Sequence, residues 1–439
     1  MNSAIKTVSD QKLFTIAPPT RLKIVLWSAL YIFTFTWAYI HIVAVNFEYY
    51  GMKYIQPKIT YWVVSVLFSI LPTFWLPQDI KRPSSIACTL LYLVVYIPIC
   101  IVNIFFGYSD IENYFIFLFF VCFGFFIICA STYLKPAQLK SPNIPQSTIL
   151  KALLLIYLVV NLMILASFRN IAKLSDMSEI YTQREQYKVA IGVTSKYFHY
   201  LFTILINVVN VYFLAIGLIQ KKYYYIVLAV LSQILIFSVT ALKSSLLAFP
   251  FYLFIYLFLS QKHWRTPALI IGFVALLLAT VLCYFSNSFT FLSDVVLRRF
   301  LTMQGQLTAY YFDFFSHSPK AYLGYSFLKP FSWYPYHTTP PSMIGQVYFE
   351  KDTMYANANF WADAYANFGY IGVLLYSSLL SWILWIYDSV TSKKNFLVSS
   401  LMIMIFSLNI CNTSLFVSLL TNSFLFTILL MYLQKEEPV

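Results

Sequence analysis

Charge is what this 439-residue chain has least of: Asp, Glu, Lys and Arg make up only 10% of it, while hydrophobic residues make up 60% and the mean hydropathy is +0.73. Soluble domains carry roughly 25% charged residues, so a soluble globular domain is excluded and an all-α polytopic membrane protein is expected. Cysteine is scarce too. Cys88, Cys100, Cys122, Cys129, Cys283 and Cys411 all fall in apolar stretches without metal-ligand spacing, which argues against a disulfide framework or a zinc site and leaves them as small core residues. No cofactor or resident metal is expected. The first 20 residues are polar and include Pro18 and Pro19, so no cleavable signal peptide is expected, and no internal repeat stands out. The net charge of +13 does not point to nucleic acid, because the lysines and arginines sit in short clusters between apolar runs, as orientation signals do.

A membrane-crossing helix needs about 20 mainly apolar residues. About twelve segments qualify: 23–45, 59–76, 85–106, 114–133, 149–167, 198–219, 223–241, 244–260, 267–286, 368–387, 395–411 and 414–434. Basic residues orient them. With the N-terminus cytoplasmic, sixteen of the 29 Lys and Arg fall in inner segments, and only Lys53, Lys58 and Lys243 in short outer ones. The expected organisation is a cytoplasmic tail over 1–22, nine spans over 23–286, a large outer loop over 287–367, three spans over 368–434 and a cytoplasmic tail over 435–439. A second long polar segment, 168–197, interrupts the first nine spans on the same outer face.

The two polar segments differ in kind. Residues 168–197 set Arg169, Lys173, Arg184, Lys188 and Lys196 against Asp176, Glu179 and Glu185, a cationic excess on the face that disfavours it. That suggests an anionic ligand, although charges paired with one another or with lipid phosphates account for it equally. Lys243, at the outer end of the seventh span, either snorkels to the interface or faces a polar chamber. Asn287 to Asn367 covers 81 residues with balanced charge, 21 aromatic rings, His317 and His337. Tyr and Trp present flat apolar faces with a polar tip, which suits both sugar rings and the membrane interface. Phe331-Ser332-Trp333-Tyr334-Pro335-Tyr336-His337 is too proline-broken for a helical stripe, so a ring-lined cavity is expected.

Three pieces in order resemble the Wzy-type O-antigen and capsular repeat-unit polymerases, and more distantly the O-antigen ligases of that superfamily. Thr240-Ala241-Leu242-Lys243-Ser244-Ser245-Leu246-Leu247-Ala248 resembles their Ser-Arg-Gly-like element at a span end, with lysine where arginine is common. Gln306 through Phe327, with Ser318-Pro319 and Gly324-Tyr325-Ser326-Phe327, resembles the helix and Pro-x-x-Gly-x-Gly turn of their large loop. Asn359-Phe360-Trp361 followed by Asn367-Phe368-Gly369-Tyr370-Ile371-Gly372 resembles the loop's closing pattern. The ligases' His-Asn pair is Ala358-Asn359 here, and Gln304 or Gln306 stands where those proteins place an arginine. A polymerase is therefore expected over a ligase.

The resemblance implies a GT-C-like enzyme of the bacterial inner membrane that joins undecaprenyl-diphosphate-linked repeat units at the periplasmic face. Its partners would be that lipid-linked glycan, the surrounding lipids, a flippase and a chain-length regulator. The leaving lipid diphosphate needs positive charge, and with only Glu48 in the first outer segment and no paired-Asp motif, fixed cations are expected to supply it. The candidates are Arg169, Arg184, Lys243, Arg298 and Arg299. Asp363 is the expected proton acceptor, with His317 and His337 as alternatives, although Asp363 also fits a helix-start cap. Asn359, Trp361, Asn367, Trp333, Tyr336 and Gln306 are expected to contact glycan. The rivals are a flippase for the same intermediate, a ligase or an acyltransferase.

Overall fold

The computed structural model describes residues 20–107, 110–173, 179–192, 194–261, 265–326, 328–352 and 354–435. In lipid, backbone N–H and C=O groups must be satisfied within the chain, and a helix does this locally. The described residues follow that rule: they form helices throughout, with no strand and one isolated bridge between Ile144 and Gln434. Eight of the helices are long and apolar enough to cross a membrane: Thr20–Asn46, Pro83–Phe105, Ile111–Tyr133, Gln146–Phe168, Tyr197–Ile219, Tyr223–Thr240, Arg265–Phe285 and Phe360–Thr391. Four shorter apolar helices, Ile59–Phe74, Ala248–Leu259, Phe396–Asn412 and Phe424–Leu433, lie where the remaining hydrophobic segments fall. The protein is a multi-pass, all-helical membrane protein.

Burial separates axis from periphery. The apolar window of Pro83–Phe105 is 100% buried, whereas that of Gln146–Phe168 is only 33% buried and turns Leu155, Leu158, Leu162 and Leu165 outward. Their spacing makes one apolar stripe, as a lipid-facing helix requires. Five cysteines are buried in the interior and Cys283 is half-buried, all as free thiols. Thr20, Arg21, Lys81, Arg82 and Tyr133 come together at one end of the bundle, which we call the basic end. Tyr50, Ile55 and Phe105 lie at the opposite end, where the Ile55 amide donates to the Phe105 carbonyl.

At that opposite end the long polar segment is partly helical. Ser293–Thr302 forms a π-helix that runs into Met303–His317, and this combined helix packs against Tyr39–Val43, Ile97–Val102 and Phe360–Thr391. It sits inside the bundle although its sequence is polar. A Cβ on Gly305 would collide with the Pro98 carbonyl, so glycine is what allows the two backbones to approach. Its buried amides find partners on distant elements: Gln304 Nε2 donates to Asn412 Oδ1 (2.7 Å), and Gln306 Nε2 donates to the Tyr50 carbonyl (2.6 Å). Buried polar groups need such partners, and here they hold the helix in place.

Candidate functional site

Phe360–Thr391 is broken near its start. Asn359 caps it, its side chain accepting from the amides of Trp361 and Ala362, and Asp363 follows one turn later. At Phe368 (φ −139°, ψ 15°) and Gly369 (φ 63°, ψ −147°) the backbone leaves the helix. The second conformation is essentially restricted to glycine. A break frees carbonyls that the next turn would have used, and other groups must take them up. Ala366 and Asn367 accept from the amides of Ala321 (2.9 Å) and Tyr322 (3.3 Å), and Asn367 Oδ1 accepts from the Leu323 amide (2.8 Å). The turn so docked carries Tyr325 to Asp363.

The resulting cluster is asymmetric. Tyr325 donates to Asp363 Oδ1 (2.7 Å), and the same phenol oxygen accepts from Asn367 Nδ2 (3.1 Å), which also donates to the Asp363 carbonyl (2.8 Å). Asp363 is 6% exposed, yet its Oδ2 has no hydrogen-bond partner among the described residues, and neither has the nearby Tyr376 hydroxyl. The carboxylate's charge acts on the hydroxyls of Tyr311, Tyr325 and Tyr376. Burial, and then that charge, push the Tyr325 phenol well above its ordinary range, so it keeps its proton and serves as a donor. Beside the break, the Lys320 amine donates to the Phe315 carbonyl and lies 4.1 Å from the Tyr365 ring centroid. Burial pushes that amine down to about 8. The arrangement can hold one proton donor on a carboxylate while its second oxygen receives another group's proton.

The residues singled out from sequence fall into distinct places. Asn359 is fully buried as the cap, with Nδ2 donating to Thr308 Oγ1 (2.7 Å), and Asn367 is fully buried beneath Asp363. Trp361 is fully buried, its indole donating to Ser377 (3.0 Å) and its ring edge-on to Tyr96 and Phe125. Gln306 is buried against Tyr50. Trp333 is exposed, and Tyr336 donates to the Pro319 carbonyl with its ring against Phe314 and Phe315. His317 and His337 are both exposed, and His317 Nδ1 is 2.9 Å from the Asp313 carbonyl oxygen.

The cations separate likewise. Arg298 is buried, paired with Asp294 and 4.2 Å from the Tyr50 ring centroid, while the half-exposed Arg299 lies 3.4 Å from the same carboxylate. Arg169 is exposed at the end of Gln146–Phe168. Arg184, on the helix Ile180–Gly192, donates to the Ala241 carbonyl (3.1 Å), and Gln183 beside it donates to the Ile171, Lys173 and Ser238 carbonyls. The first polar segment thus rests on the end of Tyr223–Thr240. Lys173 pairs with Glu179 at 2.8 Å. Lys243 begins the next helix, but its side chain lies outside the described residues, as do those of Lys188 and Lys196 and the whole of Asp176.

Tyr325, Tyr376 and Lys320 escape a reading by residue type. Tyr325 and Gly369 do lie inside the resemblance motifs, but Tyr376 sits in a hydrophobic run where nothing marks one tyrosine among 36. No protein family, curated protein or solved structure matches this chain.

Proposed function

We propose that the chain is a Wzy-type polymerase of undecaprenyl-diphosphate-linked repeat units in a bacterial inner membrane, with twelve spans, both termini cytoplasmic and segments 168–197 and 287–367 periplasmic. The observation that carries this reading is Asp363, a buried carboxylate at a broken helix with one oxygen held by Tyr325 and the other unpartnered among the described residues. Broken helices place polar backbone and side chains where a membrane protein handles its substrate. In the proposed step the acceptor sugar's hydroxyl oxygen bonds to the anomeric carbon of the growing glycan. The bond from that carbon to the lipid diphosphate breaks, its electron pair leaves on the phosphate oxygen, and the hydroxyl proton passes to Asp363. Arg169, Arg184 and Lys243 are the proposed diphosphate contacts, joined by Arg298 and Arg299, which share the single carboxylate of Asp294 and so keep one net positive charge. Fixed cations rather than a metal are proposed to stabilise the leaving group. Exposed Phe331, Trp333 and Tyr355 offer faces for sugar rings.

Transport of the same intermediate is the second reading, favoured by the burial of Arg298 within the bundle, since buried charges often mark a translocation path. Deleting the gene and displaying the surface glycan separates the two. Loss of the long-chain ladder with a single repeat retained is expected, whereas loss of the single repeat points to transport or ligation. Purified protein given lipid-linked repeat units is expected to make oligomers in the presence of a chelator; chelator sensitivity would overturn the cation-only reading.

A further inference from the structure

A polar cavity of about 530 Å³ lies at the basic end, opposite the broken-helix cluster. Arg21, Lys81 and Arg82 line it together with Asp79, Gln78 and Tyr133. Three cations face one carboxylate. Arg21 Nη1 is held by the carbonyls of Thr73 (2.5 Å) and Leu76 (2.7 Å), and Arg82 Nη1 donates to the Leu134 carbonyl. Both guanidiniums are therefore aimed by backbone oxygens, and the buried Asp388 carboxylate acts on the charge of Arg82 without forming an ion pair with it among the described residues. Asp79 accepts from the Arg265 amide (3.1 Å), and among the described residues none of the three cations forms an ion pair.

We infer that this cavity binds the phosphate of an anionic membrane lipid's headgroup. Fixed guanidiniums match the oxygens of a phosphate, and basic pockets between spans are where anionic headgroups lodge. The surroundings favour a lipid over a soluble phosphate. Leu67, Leu71 and Phe74 form an exposed apolar strip along Ile59–Phe74 as it approaches the cavity, and Phe123 and Phe126 form another along Ile111–Tyr133. Acyl chains lie against such strips while the headgroup is held above them. The exposed Tyr133 ring, whose hydroxyl donates to the Trp75 carbonyl (3.0 Å), has the amphipathic form found at the headgroup level.

The test uses the full-length protein, delipidated in detergent and followed by native mass spectrometry as phosphatidylglycerol, phosphatidylcholine or inorganic phosphate is added. Phosphatidylglycerol is expected to bind in preference to phosphatidylcholine, and binding should weaken roughly fivefold for each cation removed in Lys81→Gln and in Lys81→Gln with Arg82→Gln. The Lys81 side chain lines the cavity and makes no hydrogen bond among the described residues, so its replacement is expected to leave the fold intact. Lys135→Gln, an exposed cation nearby but outside the cavity, is the control and should change nothing. Inorganic phosphate that binds with the same dependence on Lys81 and Arg82, without any phosphatidylglycerol preference, would reassign the cavity to a soluble phosphate. Equal phosphatidylglycerol binding by wild type and the double variant, or equal loss in Lys135→Gln, would overturn the inference.

Discussion

Asp363 and Asp388 lie 25 residues apart in Phe360–Thr391, on opposite sides of the break at Phe368 and Gly369. Both are buried, at 6% and 2% exposure. Their partners differ. Asp388 receives the Ser84 amide on Oδ1 (3.0 Å) and the Ser84 hydroxyl on Oδ2 (2.5 Å), so each oxygen is occupied where Pro83–Leu91 begins. Asp363 receives Tyr325 on one oxygen and no donor among the described residues on the other. Burial alone therefore does not separate the two carboxylates; the occupancy of the second oxygen does, and the proposal that Asp363 accepts a proton while Asp388 ties two helices together rests on that difference.

Substitution tests the contrast most sharply. Asp363→Asn keeps the shape and removes the proposed proton acceptor, and on the proposed function is expected to reduce polymerisation of lipid-linked repeat units by about 10²–10⁴-fold while the protein still folds. Asp388→Asn is expected to do the reverse, lowering thermal stability by about 1–3 kcal/mol as a buried donor loses its acceptor, with activity per folded molecule retained. Equal activity in the two variants would erase the distinction.

Breaking the helix geometry is the next largest effect. Gly369→Ala places a side chain at φ 63°, ψ −147°, which is expected to cost about 1–3 kcal/mol in thermal unfolding. Because the turn bearing Tyr325 docks on the carbonyls freed by that break, the loss of activity should exceed the loss of folded protein. Asp388, more than five turns further on, should keep its bonds to Ser84.

The smallest effect is a titration confined to the Asp363 end. Lys320 has its amine pushed down to about 8 by burial, below its ordinary value of 10.5. Between those values the unfolded chain binds the extra proton. Stability should therefore rise with pH across that window, and the cost of burying the charged amine is fully present below it. Amine-selective labelling of Lys320, read by mass spectrometry, is expected to reach half its maximal rate near pH 8, whereas a half-point close to 10.5 would contradict the burial.

The apolar helices were legible because lipid demands long uninterrupted hydrophobic runs, and the helices Pro83–Phe105 and Gln146–Phe168 begin within a few residues of the segments read from sequence. Ser293–His317 was not legible as an interior helix. Arg298 and Gln306 read from sequence as contacts to diphosphate and glycan, but Arg298, Gln304 and Gln306 are buried against Asp294, Asn412 and Tyr50, and two of those partners are more than 100 residues away. Asp363 was legible by type and position, but the Tyr325 contact that organises it depends on a break at Gly369 that sequence marks only as a motif. Trp361 shows the converse: an aromatic ring in a polar segment reads as a binding face, but helix packing encloses it entirely.

The Gln304–Asn412 hydrogen bond also bears on the order of assembly. Ser293–His317 is too polar to remain in lipid by itself, and its partner on Phe396–Asn412 emerges from the ribosome more than 90 residues later. That hydrogen bond can form only after Phe396–Asn412 has been made. A chain truncated before Asn412 would leave the buried Gln304 amide without that acceptor, beside the helix on which the candidate site is built.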